Sequence, residues 1–244
     1  MRTDAIIRFD HVSKSYGENL VLADFNLSIN KGEFVTVIGS SGSGKTTMLK
    51  MINGLLTPTL GTIYVDGKDI ARENQTLLRR NIGYVIQGIG LFPHMNVRKN
   101  IAYVPELKNR RDKKRTARAV ERLIEVVGLE REMLERYPAE LSGGQRQRIG
   151  IARALAANPE ILLMDEPFGA VDEITRKMLQ NEIARIHQTL GVTIVFITHD
   201  IKEALKLGTR ILVMNKGKVE QDGTPEEITL SPATAFVKEL VQIN

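Results

Sequence analysis

The sequence predicts an α/β fold: a mostly parallel sheet with a block of helices inserted between its strands. Three observations carry this. Phe34–Ile38 is a short apolar run that stops at a glycine-rich loop, and a helical stretch from about Lys45 to Ile52 follows, the strand–loop–helix order of an α/β unit. Ile161–Met164 and Thr193–Thr198 are near-continuous apolar runs, as expected of strands covered on both faces. Between the early strands and Ile161, residues 95–157 change to helical spacing.

Taken in order, the first thirty or so residues read as short strands with turns. Thr62–Val65 and Ile82–Ile86 are further strands. Val120, Leu123, Ile124 and Val127 fall on one helical face, and Gly128 follows as a C-terminal cap. A second helix is expected over Gly143–Ala157. After the Ile161–Met164 strand, Leu179, Ile183, Ile186 and Leu190 mark one side of a helix. Ile211–Met214 and Lys218–Asp222 flank Asn215-Lys216-Gly217, a hairpin turn. The last twenty residues read as one or two short helices. The expected division is a core over 1–87 and 158–224, a helical subdomain over 88–157 and a helical tail over 225–244.

Composition narrows the function classes. Hydrophobic residues make up 42% and charged residues 26%, the balance of a folded globular chain. There is no cysteine, which excludes disulfides and thiolate metal sites. Met1–Asp10 carries charges at Arg2, Asp4 and Arg8, unlike a signal peptide. No stretch approaches the ~18–20 apolar residues of a membrane span, so any membrane role is expected through a partner. The net charge is +5, with a basic run over Lys108–Arg118. That run reads as a solvated helix face, because no aromatic residues interleave it to stack on bases, and no nucleic-acid partner is expected.

Gly39–Thr46 reads GSSGSGKT and matches the phosphate-loop pattern G-x-x-x-x-G-K-[ST] between a strand and a helix. Gly39, Gly42 and Gly44 let the backbone curl so that several N–H groups, through Ser40, Ser41 and Ser43, point at one anion. Lys45 would reach the β- and γ-phosphates of ATP, and the Thr46 hydroxyl would ligate Mg²⁺; Thr47 continues the helix start. Ile161–Glu166 reads ILLMDE. Ligands of open parallel sheets sit beyond the carboxyl ends of the strands, so Asp165 is suited to hold Mg²⁺ and Glu166 to polarise an attacking water. Leu141–Gln145 reads LSGGQ. Ser142 and Gln145 have capping-box spacing, whereas Gly143 and Gly144 weaken a first turn by ~1 kcal/mol each and suit close approach of a phosphate; both readings stand at this level.

Phosphate loop, LSGGQ and ILLMDE in this order resemble the ABC ATPases, and the resemblance covers essentially the whole chain. It implies a P-loop NTPase of the ABC type, with a RecA-like core, an N-terminal antiparallel β-subdomain and an inserted α-helical subdomain. It also implies that Ser142, Gly143, Gly144 and Gln145 act in trans on the nucleotide of a second subunit, making the ATP-bound state a homodimer. Matching the family position by position, Tyr16 in VSKSYG stacks on adenine, Gln87 in YVIQ links Mg²⁺ to the membrane partner, and His199 in FITHD grips the γ-phosphate. The loop after the carboxylates reads GAVD where the family usually has SALD, keeping its aspartate as Asp172.

The resemblance therefore implies an ATPase with Glu166, His199 and Lys45 at its catalytic centre, held by permease subunits at the cytoplasmic face of the membrane. The permease contact is expected in Gly88–Val104, which carries Phe92, Pro93 and Met95, and a substrate-binding protein is an indirect partner. YVIQGIGLFPHMNVRKNI and LLMDEPFGAVDEITRKMLQNE look most like ATPases of bacterial importers for glycine betaine, choline or carnitine. Many of those carry paired regulatory domains of the cystathionine-β-synthase type, and none is expected in a chain that ends at Asn244. Other readings are an importer ATPase for another small solute such as an amino acid or polyamine, a soluble ABC ATPase acting on DNA or ribosomes, and a nucleotide sensor that does not hydrolyse. Intact Glu166 and His199 speak against the last.

Overall fold

The computed structural model describes residues 5–86, 88, 90–108, 112–169 and 171–242. In chain order the strands and helices are β1 (Ala5–Tyr16), β2 (Asn19–Asn30), β3 (Phe34–Gly39), α1 (Lys45–Ile52), β4 (Leu60–Val65), β5 (Lys68–Asp69), α2 (Gln75–Asn81), β6 (Ile82–Val85), α3 (Val97–Lys108) and α4 (Lys113–Val126). They continue with α5 (Gly143–Leu155), β7 (Ile161–Asp165), α6 (Glu173–Leu190), β8 (Thr193–Ile197), α7 (Ile201–Leu207), β9 (Arg210–Asn215), β10 (Lys218–Gly223), α8 (Pro225–Leu230) and α9 (Ala235–Gln242). The chain forms two compact units, Met1–Arg79 with Gly191–Asn244, and Arg80–Leu190.

In the first unit, β3 pairs in parallel with β8 on one side and β9 on the other. Both β3 and β8 are buried along their length, which is why their sequences lack polar alternation. Lys216 and Gly217 turn β9 into β10 with φ of 46° and 77°, the two positive values that a tight hairpin of matching twist requires. Ile38, Ile211 and Val213 pack with Ile201 and Ala204 of α7, Ile228 of α8 and Val237 of α9, so the two tail helices belong to this core.

The same unit holds a four-stranded antiparallel sheet in the order β2-β1-β4-β5. The first thirty residues are thus not short strands: β1 and β2 run for twelve residues each. Their period-2 pattern is broken by bulges, which made two long strands read as several short ones.

The second unit joins the parallel pair β6–β7 to α3, α4, α5 and α6. It is wider than the helical block at 88–157, because β6, β7 and α6 fall within it. Val120, Leu123, Ile124 and Val127 are buried as the spacing implies, and Gly128 takes φ 65° after α4. On α6, Leu179, Ile183 and Ile186 are buried, but Leu190 is 57% exposed; it is the last residue of the helix, and the apolar stripe ends one turn earlier. The described part of the basic run behaves as a solvated face, with Lys113, Lys114, Arg115 and Arg118 exposed on α4 while Thr116 is buried. Among the described residues no helix is long and apolar enough to cross a membrane.

Candidate functional site

The expected site residues divide between the two units. In the first, β3 ends at Gly39, whose φ is 144°. A Cβ there would lie 1.8 Å from the Met214 carbonyl oxygen, so only glycine lets the chain leave the strand so close to β9. Ser40 donates its hydroxyl to Asn215 Oδ1 at 2.9 Å, which ties the loop to the end of β9. The Ser43 N–H donates to the Ser40 carbonyl at 3.2 Å, and Gly42 and Gly44 both have positive φ. The loop thereby curls and delivers the chain into α1, whose N-cap, Gly44, offers no side chain to the first-turn N–H groups. A helix N-terminus carries partial positive charge, and one whose cap adds no side-chain hydrogen bond suits a phosphate. Lys45 Nζ donates to the Gly39 carbonyl at 3.0 Å and the Ser40 carbonyl at 2.8 Å. The cation is therefore held over the loop in which a triphosphate would sit. Thr46 and Thr47 follow in the first turn of α1.

Tyr16 closes β1 with its ring 48% exposed, and Lys14 Nζ lies 5.1 Å from the ring centroid. His199 is exposed on the turn after β8. That turn is braced from beneath. The buried Thr198 hydroxyl donates to Glu203 Oε2 at 2.6 Å and accepts from the Asp200 N–H, and Asp200 caps α7 through the Lys202 N–H.

In the second unit, Asp165 ends β7 and is 2% exposed, whereas Glu166 follows it in the left-handed region at φ 48°. A non-glycine residue there costs on the order of 1–3 kcal/mol and persists where its surroundings hold it. Tyr84 on β6 lies close enough to feel the negative charge of Asp165, and burial together with that charge pushes its phenol up to about 12. Ser142 caps α5: its Oγ accepts from the Gln145 N–H at 3.2 Å while Gln145 Oε1 accepts from the Ser142 N–H at 2.9 Å. The capping box is thus formed, with Gly143 and Gly144 in the first helical turn. Asp172 caps α6, accepting from the Thr175 N–H at 2.9 Å. Hydrogen bonds from Thr175, with the Arg148 charge as a lesser cause, hold its carboxyl below the usual range. Gln87 lies outside the described residues.

The segment expected to meet a membrane partner is partly internal. Phe92 is half-buried, 4.7 Å from the Tyr103 ring, with the Arg153 guanidinium 5.6 Å from its centroid. Pro93 and His94 are exposed. The organiser is Asn100, fully buried: it accepts from the Phe92 N–H and donates to the carbonyls of Phe92, Met95 and Asn96.

Residues 22–169 match the family described as ABC transporter. The chain belongs to the ABC transporter family. Among its relatives, the carnitine transport ATP-binding protein OpuCA of Listeria monocytogenes is 52% identical over 237 residues, 97% of this chain and 59% of that protein. The glycine betaine uptake system ATP-binding protein YehX of Escherichia coli is 49% identical over 234 residues, 96% of this chain and 76% of that protein. A solved dimeric ATP-binding cassette in a post-hydrolysis state, bound to ADP and Pi, matches with a TM-score of 0.84 at 35% identity, covering 90% of this chain and 98% of that one. This ABC chain therefore has the α/β cassette fold, and it spans about three fifths of the length of OpuCA.

Asn100 and Arg148 were not legible in the sequence of this ABC chain. Arg148 donates to the Val127 and Gly128 carbonyls at the end of α4. Both are polar residues on amphipathic helices, and helical spacing distinguishes an outward side chain from an inward one but not a buried clamp from a solvated group.

Proposed function

We propose that the chain binds MgATP at Gly39–Thr47 and hydrolyses it as one of two identical subunits. In this reading it powers import of an osmoprotectant quaternary amine, such as glycine betaine, choline or carnitine, through a transmembrane permease at the cytoplasmic face. The observation that carries it is the loop itself, curled by glycines with positive φ between a buried strand and an uncapped helix, with Lys45 folded over it. The relatives named for carnitine and glycine betaine support the substrate class. A binding protein that selects such a cation is the remaining, indirect partner.

The donor set suits Mg²⁺. Thr46 and Asp165 would each offer an oxygen ligand. That fits an ion which keeps several waters and takes one or two protein oxygens beside the phosphates. When bound, it would neutralise charge developing on the phosphates.

The roles of the residues follow from their chemistry. Backbone N–H groups of Gly39–Thr47 and the Lys45 ammonium hold the β- and γ-phosphates. Tyr16 offers a ring for the base to stack on. Glu166 accepts a hydrogen bond from the attacking water and orients it, and His199 donates to the γ-phosphate. Ser142, Gly143, Gly144 and Gln145, with Asp172, serve the nucleotide of the second subunit, and Gln87 with the Phe92–Met95 turn faces the permease.

Glu166→Gln tests the hydrolytic assignment. The amide accepts a proton poorly, so the variant is expected to bind ATP, turn it over at least ~10²-fold more slowly, and elute as a dimer with MgATP. Near wild-type turnover would refute Glu166 as the group that activates water.

A further inference from the structure

The second unit holds a groove whose cations have no carboxylate partners. It encloses about 690 Å³ where the end of α3, the first turns of α4 and the residues closing α5 meet. Binding clefts run from roughly 300 to 1,000 Å³, so the groove is large enough for a ligand. Arg115, Arg118 and Arg122 line it from α4. Their spacing of three and four residues sets them along one side of the helix, over ~10 Å at the helical rise. Lys108 lines it from the end of α3, where its ammonium donates to the Ala157 carbonyl at 3.4 Å.

Beside these cations much of the lining is apolar: Pro105 on α3, Ala119 on α4, and Leu155, Ala156 and Ala157 at the end of α5. Among the described residues none of the three arginines is in an ion pair. Arg98 and Arg131 of the same unit, by contrast, pair with Glu135 and Glu125 at 2.8 and 2.7 Å. The one carboxylate lining the groove among the described residues is Asp112, which accepts the Arg115 N–H at 3.0 Å as the cap of α4. Like charges one turn apart repel, so α4 carries a cost here that a negatively charged occupant would remove.

The form of the groove selects the occupant. Guanidinium groups take carboxylates in paired hydrogen bonds. The charges are strung along a helix rather than gathered round one point, and the apolar lining runs beside them. The complement is an extended segment that alternates carboxylates with apolar side chains. No aromatic residue lines the groove, so bases would have nothing to stack on. Binding to a bilayer surface uses large apolar side chains that enter it. Among the described residues those exposed in this unit, such as Tyr137 and Ile174, lie on other segments.

We propose that this groove docks an acidic, amphipathic peptide segment of a partner protein, with its carboxylates on Arg115, Arg118 and Arg122 and its apolar side chains against Leu155 and Ala156. The phosphate loop belongs to the other compact unit, and the proposal does not depend on how that loop is read.

The test is the fluorescence anisotropy of a labelled synthetic peptide, with Glu at helical spacing and Leu beside it, titrated with the intact chain. About 0.15 M salt screens attraction between distant charges. A peptide with Gln for Glu is expected to bind at least ~10-fold more weakly. Arg118→Glu combined with Arg122→Glu is expected to lower affinity for the Glu peptide by at least ~10-fold. Lys113 and Lys114 are exposed and do not line the groove. Lys113→Glu combined with Lys114→Glu makes the same change in net charge and is expected to cost less than ~3-fold. Ala119→Glu places a carboxylate one turn from both Arg115 and Arg122, occupies them from within the chain, and is expected to weaken binding ~10-fold. It decides the matter if the double reversal does not fold.

Equal losses in the two double variants would overturn the proposal, because the attraction would then be diffuse. No binding of the Glu peptide, or unchanged affinity in Ala119→Glu, would overturn it as well. Phosphatidylglycerol vesicles that bind through Arg118 and Arg122 more tightly than the peptide does would also overturn it, and would assign the groove to lipid headgroups.

Discussion

Replacing Asn100 by leucine tests whether one buried amide organises the turn ahead of α3. The substitution keeps the size of the side chain, so little cavity results, and what is lost is polar. Asn100 makes four hydrogen bonds to the backbone of Phe92, Met95 and Asn96, between 2.9 and 3.2 Å. A net ~1 kcal/mol for each bond would give about 4 kcal/mol if every group were stranded. The Phe92 and Asn96 carbonyls keep the backbone N–H groups of Met95 and Asn100 as donors, so the Phe92 N–H and the Met95 carbonyl are the groups left stranded, and about 2–3 kcal/mol is the expected loss. Urea unfolding followed by circular dichroism checks it: the midpoint should fall while the slope stays constant. Nucleotide binding should persist, because the Gly39–Thr47 loop lies in the other compact unit. A loss under ~1 kcal/mol would refute the reasoning, since the turn would then hold its shape without the amide.

Ser142→Arg should leave nucleotide binding by an isolated subunit nearly intact and lower turnover by ~10² or more, the scale of one lost transition-state donor. Mixing it with Lys45→Ala subunits should restore part of the activity, and no rescue in demonstrated mixed dimers would refute action in trans. Pro93→Asp places a charge on an exposed turn; it should spare ATPase activity and abolish transport in the reconstituted importer, because docking would have to desolvate that charge. Normal transport would remove this turn from the permease contact. Tyr84 should contribute an alkaline loss of stability. Its folded pKa is raised from 10.0 to about 12, so the unfolded chain releases this proton first and stability drains away as pH rises from 10 towards 12. Thermal melts across that window should fall less steeply for Tyr84→Phe than for the parent, and equal slopes would refute the assignment.

The local chemistry of this chain is written in its sequence. Gly39–Thr46 needs glycine where φ is positive, and a lysine and a hydroxyl at set distances along the backbone, all within eight consecutive residues. Ser142 and Gln145 form their reciprocal cap three residues apart. The buried strands β3, β7 and β8 are apolar because both faces are covered, so they too were legible. Interactions that need no distant partner can be read from neighbours in the chain.

Only tertiary structure decided what depends on contacts across elements. Nothing local marks Asn100 as a clamp, because helical spacing does not show that its amide is buried and turned onto the backbone of Phe92, Met95 and Asn96. Nothing local shows that β1 is one strand of twelve residues rather than several short ones, because the register shifts that interrupt its alternation become visible only against β2 and β4. The parity of a strand is set by its partners, and each bulge changes it for the side chains beyond. Tyr16 could be recognised as an aromatic residue from the sequence, but the face it occupies is a property of the sheet.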